Sequence, residues 1–353
     1  MENGHMDIPK YTQLRQDERP SLERLLPLSF PISLYIEPTN RCMFRCTYCP
    51  MSIADYEKEA GGFRTMTFAE FQKIASDIRA GGSLKVLRFY FMGEPLLNPD
   101  LPEMIALACN MQLAERTELT TNGVLLNDAM SKSLIRSGLD YLRISISSVN
   151  QNRHERVTQS RIKVEKIYDN IRRFKDIRNE MGSKKPFLYV KLLDPANSAE
   201  RSTFLDMYQP IADEAVIEEP MNWDSYGDHD LMAALYGTRT QTGSDHSHSH
   251  PKEVCPFPFY TLAITANGDV TVCCVDWNKA TKVGNVFESS LKDIWDGDKM
   301  QAFRRMHINR QRRNNPSCRN CTFLYSAPDN LDHLSDDTLS ALLTQNTFGG
   351  NKT

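Results

Sequence analysis

The sequence predicts an α/β fold: parallel βα units over residues 31–220, then a smaller α+β unit over 255–327. Three observations carry this. Short β-rich runs alternate with amphipathic segments through the first stretch. Composition shifts to polar, Gly/Ser/His-rich sequence after residue 220. Beyond that, two β-rich arms flank Asn267-Gly268, a strong hairpin dipeptide, with a helical pattern behind them.

In order along the chain, the β-rich runs are "SLYIEP" (33–38), "KVLRFYF" (85–91), "RTELTTN" (116–122), "YLRISIS" (141–147), "FLYVKLL" (187–193) and "AVIEEP" (215–220). Six strands suit an open sheet or a barrel short of eight strands. "TFAEFQKIASDIRAGG" has Thr67 as N-cap and ends on glycine, and "NDAMSKSLIRSG" does the same from Asn127. "KVEKIYDNIRRFKDIRNEMG" carries a helical apolar stripe. Residues 1–30 read as an N-terminal extension and 221–254 as a linker, in which His246, His248 and His250 alternate. "SSLKDIWDGDKMQAFRRMHINRQ" reads as one helix starting near Ser289 or Ser290. The tail, 328–353, is polar and is expected to dock loosely or fray.

At 353 residues the chain can bury a large core without staples. Its 42 basic and 45 acidic residues give a net charge of −3, so nothing calls for nucleic acid or an anionic membrane. Apolar runs are strand-sized, and the N-terminus has no secretory pattern. A cytoplasmic location is expected. Nine cysteines, an odd number, then argue for metal or catalytic use over a disulfide framework. Eight fall in two groups, and Cys109 stands apart in an apolar helical context, as a buried small hydrophobe would.

The early group is "CMFRCTYCP" (42–50), with Cys42, Cys46 and Cys49 on a loop after the first strand. Thiolates are soft ligands suited to zinc or iron–sulfur clusters. A [4Fe–4S] cube normally takes one cysteine per iron, so three leave one iron open for a small molecule. Ligands of parallel α/β folds also gather at the C-terminal ends of strands.

The spacing Cys42-x3-Cys46-x2-Cys49 after a first strand resembles the cluster loop of the radical S-adenosylmethionine (SAM) enzymes. That resemblance implies a partial (β/α)6 TIM-like barrel, a [4Fe–4S] cluster and SAM. It places the backbone of Tyr48 against the adenine. "FMGEPLLNP" (91–99) is similar to the family's GGEP segment with Met92 in place of the first glycine, so backbone near Gly93 and the Glu94 carboxylate would hold the SAM amino group. "TTNG" (120–123), with Thr121 and Asn122, matches another recurrent segment. "SISS" (145–148) stands where the family binds ribose; Ser145 and Ser147 share a strand face, but the usual acidic residue is missing. The resemblance offers Arg153 or Arg156 to the SAM carboxylate and Leu192 to the adenine.

The late group is Cys255, Cys273, Cys274, Cys318 and Cys321. A hairpin could turn Cys255 and Cys273 to one metal, and Cys318-x2-Cys321 would complete four donors. Alone, this set suits zinc and an iron–sulfur cluster equally. "CPFPFYTLAITANGDVTVCC" with "VGNVFESSLKDIW" resembles the SPASM extension, in its shortened twitch form, which implies one fully ligated auxiliary [4Fe–4S] cluster. Cys274 is left over as a possible hydrogen-atom donor, although its neighbour on a strand points the other way.

The resemblance implies reductive cleavage of SAM to a 5′-deoxyadenosyl radical, with the electron from a carrier such as flavodoxin or ferredoxin, and removal of a substrate hydrogen. The layout is similar to the radical SAM dehydrogenase that oxidises an aminocyclitol alcohol. A sugar or cyclitol carbinol is therefore the expected substrate. Peptide maturation (thioether, epimerisation or crosslink), sugar epimerisation and a zinc-stabilised binding module are the alternatives. The first 30 residues are too few for the peptide-binding domain often fused to peptide-modifying relatives.

Overall fold

The computed structural model describes residues 10–12, 20–219, 231 and 252–344. His246, His248 and His250 lie outside these. A nine-stranded sheet forms the framework, in the order β6-β5-β4-β3-β2-β1-β7-β8-β9. β1 (Ser33–Ile36), β2 (Val86–Phe89), β3 (Thr117–Thr121), β4 (Tyr141–Ile146), β5 (Phe187–Leu193) and β6 (Glu214–Glu218) pair in parallel in chain order. These are the six expected strands, within a few residues.

The helices between them are α1 (Phe68–Gly81), α2 (Leu101–Asn110), α3 (Asp128–Arg136), α4 (Gln151–Thr158), α5 (Val164–Glu180) and α6 (Ser198–Tyr208). Thr67 caps α1 in a capping box with Glu70, and Asn127 caps α3. Leu34, Ile36, Leu87, Phe89, Leu119, Leu142, Ile144, Leu188, Val190 and Leu192 share one sheet face and are buried in a common core with Phe71, Ile74, Ile171 and Phe174 of the helices. Removing one such leucine side chain costs about 2–5 kcal/mol.

The alternate positions form the inner face, which is polar. Glu118 has no exposed side-chain surface and pairs with Arg88 (3.1 Å) and Arg116 (2.8 Å). Burial pushes its carboxyl up, but Arg88, Arg116 and Arg143 outweigh burial and hold it at about 2. Tyr11 of the N-terminal extension donates to Glu118 (3.1 Å) and packs on Tyr141, Tyr189 and Arg143.

Three features differ from the sequence reading. β7 (Thr261–Ile264) pairs in parallel with β1, so the C-terminal hairpin extends the main sheet. β8 (Asp269–Thr271) and β9 (Lys282–Asn285) continue it antiparallel. Second, the long helix breaks in two, α7 (Leu291–Asp296) and α8 (Asp298–Ile308), at Gly297. A Cβ there would meet the Asp293 carbonyl at 2.8 Å. Third, the tail does not fray over its described part: after the one-turn α9 (Pro316–Arg319), α10 (Asp336–Thr344) buries Leu339 against Leu22, Val254, Phe259 and Ile308. Among the described residues, no helix is long and apolar enough to cross a membrane.

Candidate functional site

The early cysteines sit on the loop that leaves the C-terminal end of β1. That loop is fastened to the end of α4, where Arg45 and Thr47 donate backbone N–H groups to Thr158 and Val157 at 2.9 and 2.8 Å. The Cys49 N–H closes a turn on the Cys46 carbonyl (2.8 Å), and the Phe44 N–H donates to Cys42 Sγ (3.4 Å). Cys42 feels Cys46, Cys46 feels Cys49 and Cys49 feels Cys42, so the fold gathers all three. Burial pushes each thiol up to about 12. Such groups ionise only beside a positive partner, which a metal centre supplies.

Gly93 lies against this loop. Its φ is +78°, and a Cβ would stand 2.3 Å from the Thr39 carbonyl and 2.8 Å from that of Arg41. Only glycine fits this approach. It lets the Glu94 N–H donate to the Arg41 carbonyl (2.7 Å) and puts the Glu94 carboxyl beside the cysteines. Oε1 accepts from the Thr121 hydroxyl (2.6 Å) and the Leu96 N–H (3.0 Å), and Oε2 accepts from the Asn122 N–H (2.8 Å). Oε2 keeps capacity for one more donor. Burial pushes the carboxyl up to about 7 despite these bonds. Asn122 in turn reaches the loop, donating to Met43 Sδ (3.1 Å).

Tyr48 and Ser147 meet through their hydroxyls at 3.4 Å, next to Cys46. Ser145 and Ser147 line a narrow crevice with Phe44 and His154. The two candidate arginines differ. Arg153 is held by Glu200 (2.9 Å) and the Pro195 carbonyl (3.0 Å), whereas Arg156 is exposed and has no ion-pair partner among the described residues. Leu192 is fully buried in the main core, which by itself accounts for its position. Cys109 is half-buried against Gly138, with Sγ 3.8 Å from the Thr117 hydroxyl.

The late cysteines surround a separate cavity, lined by Cys255, Cys273, Cys318 and Cys321 together with His307 and Arg312. Asp276 holds its walls together. Its buried carboxylate accepts from the Ala280 and Thr281 N–H groups (3.1 and 2.8 Å), the Thr281 hydroxyl (2.7 Å) and the Ser317 hydroxyl (2.6 Å). The hairpin loop is thereby tied to the helix carrying Cys318. Cys274 does not line the cavity, but its thiol pairs first with that of Cys273, and it also bonds to the Tyr35 side chain and feels Arg88, both on the inner sheet face. Sequence reasoning missed His307, Arg312 and Asp276, for which no spacing signal exists.

Among the described residues, no group of three or more His, Cys, Asp or Glu is placed to hold a single metal ion. Zinc draws its donors to within about 2.0–2.3 Å of one point. A four-iron cube spreads its thiols, one per iron. The late cavity also holds a buried polar atom without a partner, Arg312 Nε, as a site built around a bound group would.

Residues 36–183 match the model of the radical SAM superfamily, and residues 255–322 match that of the SPASM iron-sulfur cluster-binding domain. The chain therefore carries a radical SAM domain and a SPASM domain. These domains imply a [4Fe–4S] cluster, SAM and auxiliary iron–sulfur ligation.

Among curated relatives of the chain, the PqqA peptide cyclase of Granulibacter bethesdensis is 35% identical over 128 residues, 36% of this chain and 32% of the cyclase. The dTDP-4-amino-4,6-dideoxy-D-glucose ammonia-lyase of Streptomyces venezuelae is 30% identical over 191 residues, 52% of this chain and 36% of the lyase. The matches thus span about a third of the length of these relatives. The structure of BtrN in complex with AdoMet and 2-DOIA is similar in fold, with a TM-score of 0.51, 19% identity, and 83% of this chain and 93% of BtrN covered.

Proposed function

We propose that this protein oxidises a carbinol carbon of a sugar or cyclitol to a ketone, with the late cysteine site as electron acceptor. In this reading residues 31–220 form the SAM-cleaving unit and 255–327 the auxiliary unit. The observation that carries it is the late cavity. Four thiols line it, one for each iron of a cube, so no corner is left for a substrate. A closed site of that kind suits electron transfer.

Cys42, Cys46 and Cys49 would hold the first cluster with one iron open. When bound, it and SAM supply a 5′-deoxyadenosyl radical that takes a hydrogen atom from the substrate carbon. Glu94 Oε2 would accept from the SAM amino group, supported by Thr121 and Asn122. Tyr48, Ser145 and Ser147 would line the nucleoside, and Arg156 would meet the carboxylate. The inner face carries Tyr35, Arg88, Tyr90, Arg143, Lys191 and Glu218, a surface suited to a hydroxyl-rich substrate. A cluster held by Cys255, Cys273, Cys318 and Cys321 would supply an acceptor for the second electron, so that loss of the hydroxyl proton would complete a two-electron oxidation. The electron that starts the cycle would come from a flavodoxin or ferredoxin.

Anaerobic turnover with SAM tests this reading. A ketone product formed in step with 5′-deoxyadenosine supports it; 5′-deoxyadenosine with a hydrogen-exchanged but unoxidised product refutes it. That second outcome belongs to epimerisation, which draws support from the buried Cys274 thiol, in contact with Cys273 and with Tyr35 of the inner sheet face. Solvent deuterium in the product, lost in Cys274→Ala, would establish it. Peptide maturation draws support from the PqqA peptide cyclase likeness, and co-purification of a precursor peptide would establish that instead.

A further inference from the structure

Two nitrogen-bearing side chains at the late cavity are placed in an unusual way. The Arg312 side chain is only 6% exposed. Its NH1 group donates to the Cys318 carbonyl and, at 3.4 Å, to that of Cys321, so the guanidinium braces the CxxC turn. Its Nε is buried and makes no hydrogen bond. The nearest carboxylate oxygen, on Glu253, is 3.9 Å away and out of hydrogen-bonding reach. A buried N–H of this kind is costly unless something in the cavity accepts from it.

His307 is fully buried beside it, with its ring 5.0 Å from that of Phe303. Nδ1 accepts from the Cys255 N–H (3.4 Å). The proton of the neutral ring therefore sits on Nε2, which lies 3.9 Å from Cys318 Sγ. The residues lining the cavity thus include an arginine with one unanswered guanidinium N–H and an imidazole whose N–H lies beside Cys318 Sγ. The Arg312 charge acts on Cys255, Cys318 and Cys321.

We propose that Arg312 and His307 donate hydrogen bonds to the sulfurs of the cluster held in this cavity and thereby make it a better electron acceptor. The inference rests on the auxiliary-cluster reading above. Net charge, hydrogen bonds to sulfur and solvent exposure set the potential of an iron–sulfur cluster. A buried cation and two N–H donors each favour the form with one more electron. In the proposed oxidation that electron comes from the substrate radical, which loses a proton and becomes the carbonyl product.

The test is a redox titration in a background where Cys42, Cys46 and Cys49 are alanine, so that only the late site reports. Iron and sulfide are counted first. Arg312→Gln and His307→Leu should retain about four irons and titrate at lower potential, by on the order of tenfold in the one-electron equilibrium, which is about 59 mV. Arg312→Lys, which keeps the charge and loses Nε, should shift less. Unchanged or higher potentials in variants that keep their iron would overturn the proposal. So would loss of iron in every variant, which would make both residues scaffolding. A parent that binds no cluster would instead overturn the reading beneath it.

Discussion

Replacing Glu94 with glutamine changes one oxygen into an amide nitrogen at the point where three elements converge. The carboxylate accepts from the Thr121 hydroxyl at 2.6 Å, the Leu96 N–H at 3.0 Å and the Asn122 N–H at 2.8 Å. A carboxamide has one acceptor oxygen, so it cannot serve both edges. If the oxygen stays with Thr121 and Leu96, the amide faces the Asn122 N–H donor to donor. That leaves a buried N–H unmet and costs about 1–3 kcal/mol of stability. The same change removes the acceptor and the negative charge that would meet the SAM amino group. A hydrogen bond to a charged group contributes about 1.5–3 kcal/mol, which is roughly a 10- to 150-fold loss of affinity. The assay is anaerobic equilibrium binding of SAM to reconstituted protein, with iron content matched between variant and wild type. A SAM affinity within twofold of wild type at equal iron would refute the role assigned to Glu94.

Three further outcomes follow from the same geometry. Gly93→Ala combines a left-handed backbone with a Cβ 2.3 Å from the Thr39 carbonyl, and should cost about 2–5 kcal/mol in urea unfolding; a loss below about 0.5 kcal/mol would mean the loop yields freely. Glu37, whose oxygens accept from the Met92 N–H (3.3 Å) and the Ala266 N–H (2.9 Å), is raised by burial from 4.5 to about 7. Its folded value lies above its unfolded one, so its contribution is complete below pH 4.5 and is lost as pH rises to about 7. His307, held down to about 3 by burial and then Arg312, pulls the opposite way as its contribution is lost below pH 6.5. The difference between the wild-type and Glu37→Gln urea midpoints against pH isolates the first effect and should change across that window; parallel curves would exclude it. Asp276→Ala removes the acceptor of four hydrogen bonds and should empty the late site alone, halving iron while SAM cleavage persists; full iron retention would contradict its bracing role.

Local signals made most of the frame legible. Thr67 and Asn127 cap their helices because a side-chain oxygen answers nearby N–H groups, and strand alternation marks the buried face. Cys42-x3-Cys46-x2-Cys49 is equally local, and so was readable. What escaped depends on distant pairing. Nothing in "TLAI" states that Thr261 will register with Ser33, or that Tyr11 will reach Glu118 across the sheet. The tail looked polar because its anchors, Leu331 and Leu339, are few and spaced among charges, yet both are buried. Gly297 was visible but sits inside a helical period; its backbone turns extended there (φ −66°, ψ 158°), where a side chain would collide with the Asp293 carbonyl. His307 and Arg312 carry no pattern at all. They become meaningful only once the four thiols stand around them.

The most direct measurement of the central claim is an anaerobic count of iron, acid-labile sulfide and zinc per chain, repeated with each cysteine set replaced by alanine. Two [4Fe–4S] clusters predict about eight irons and no zinc, falling to about four when either set is removed. Only the loss of Cys42, Cys46 and Cys49 should abolish SAM cleavage by dithionite. Zinc without iron, or SAM cleavage that survives loss of the early set, would contradict the account.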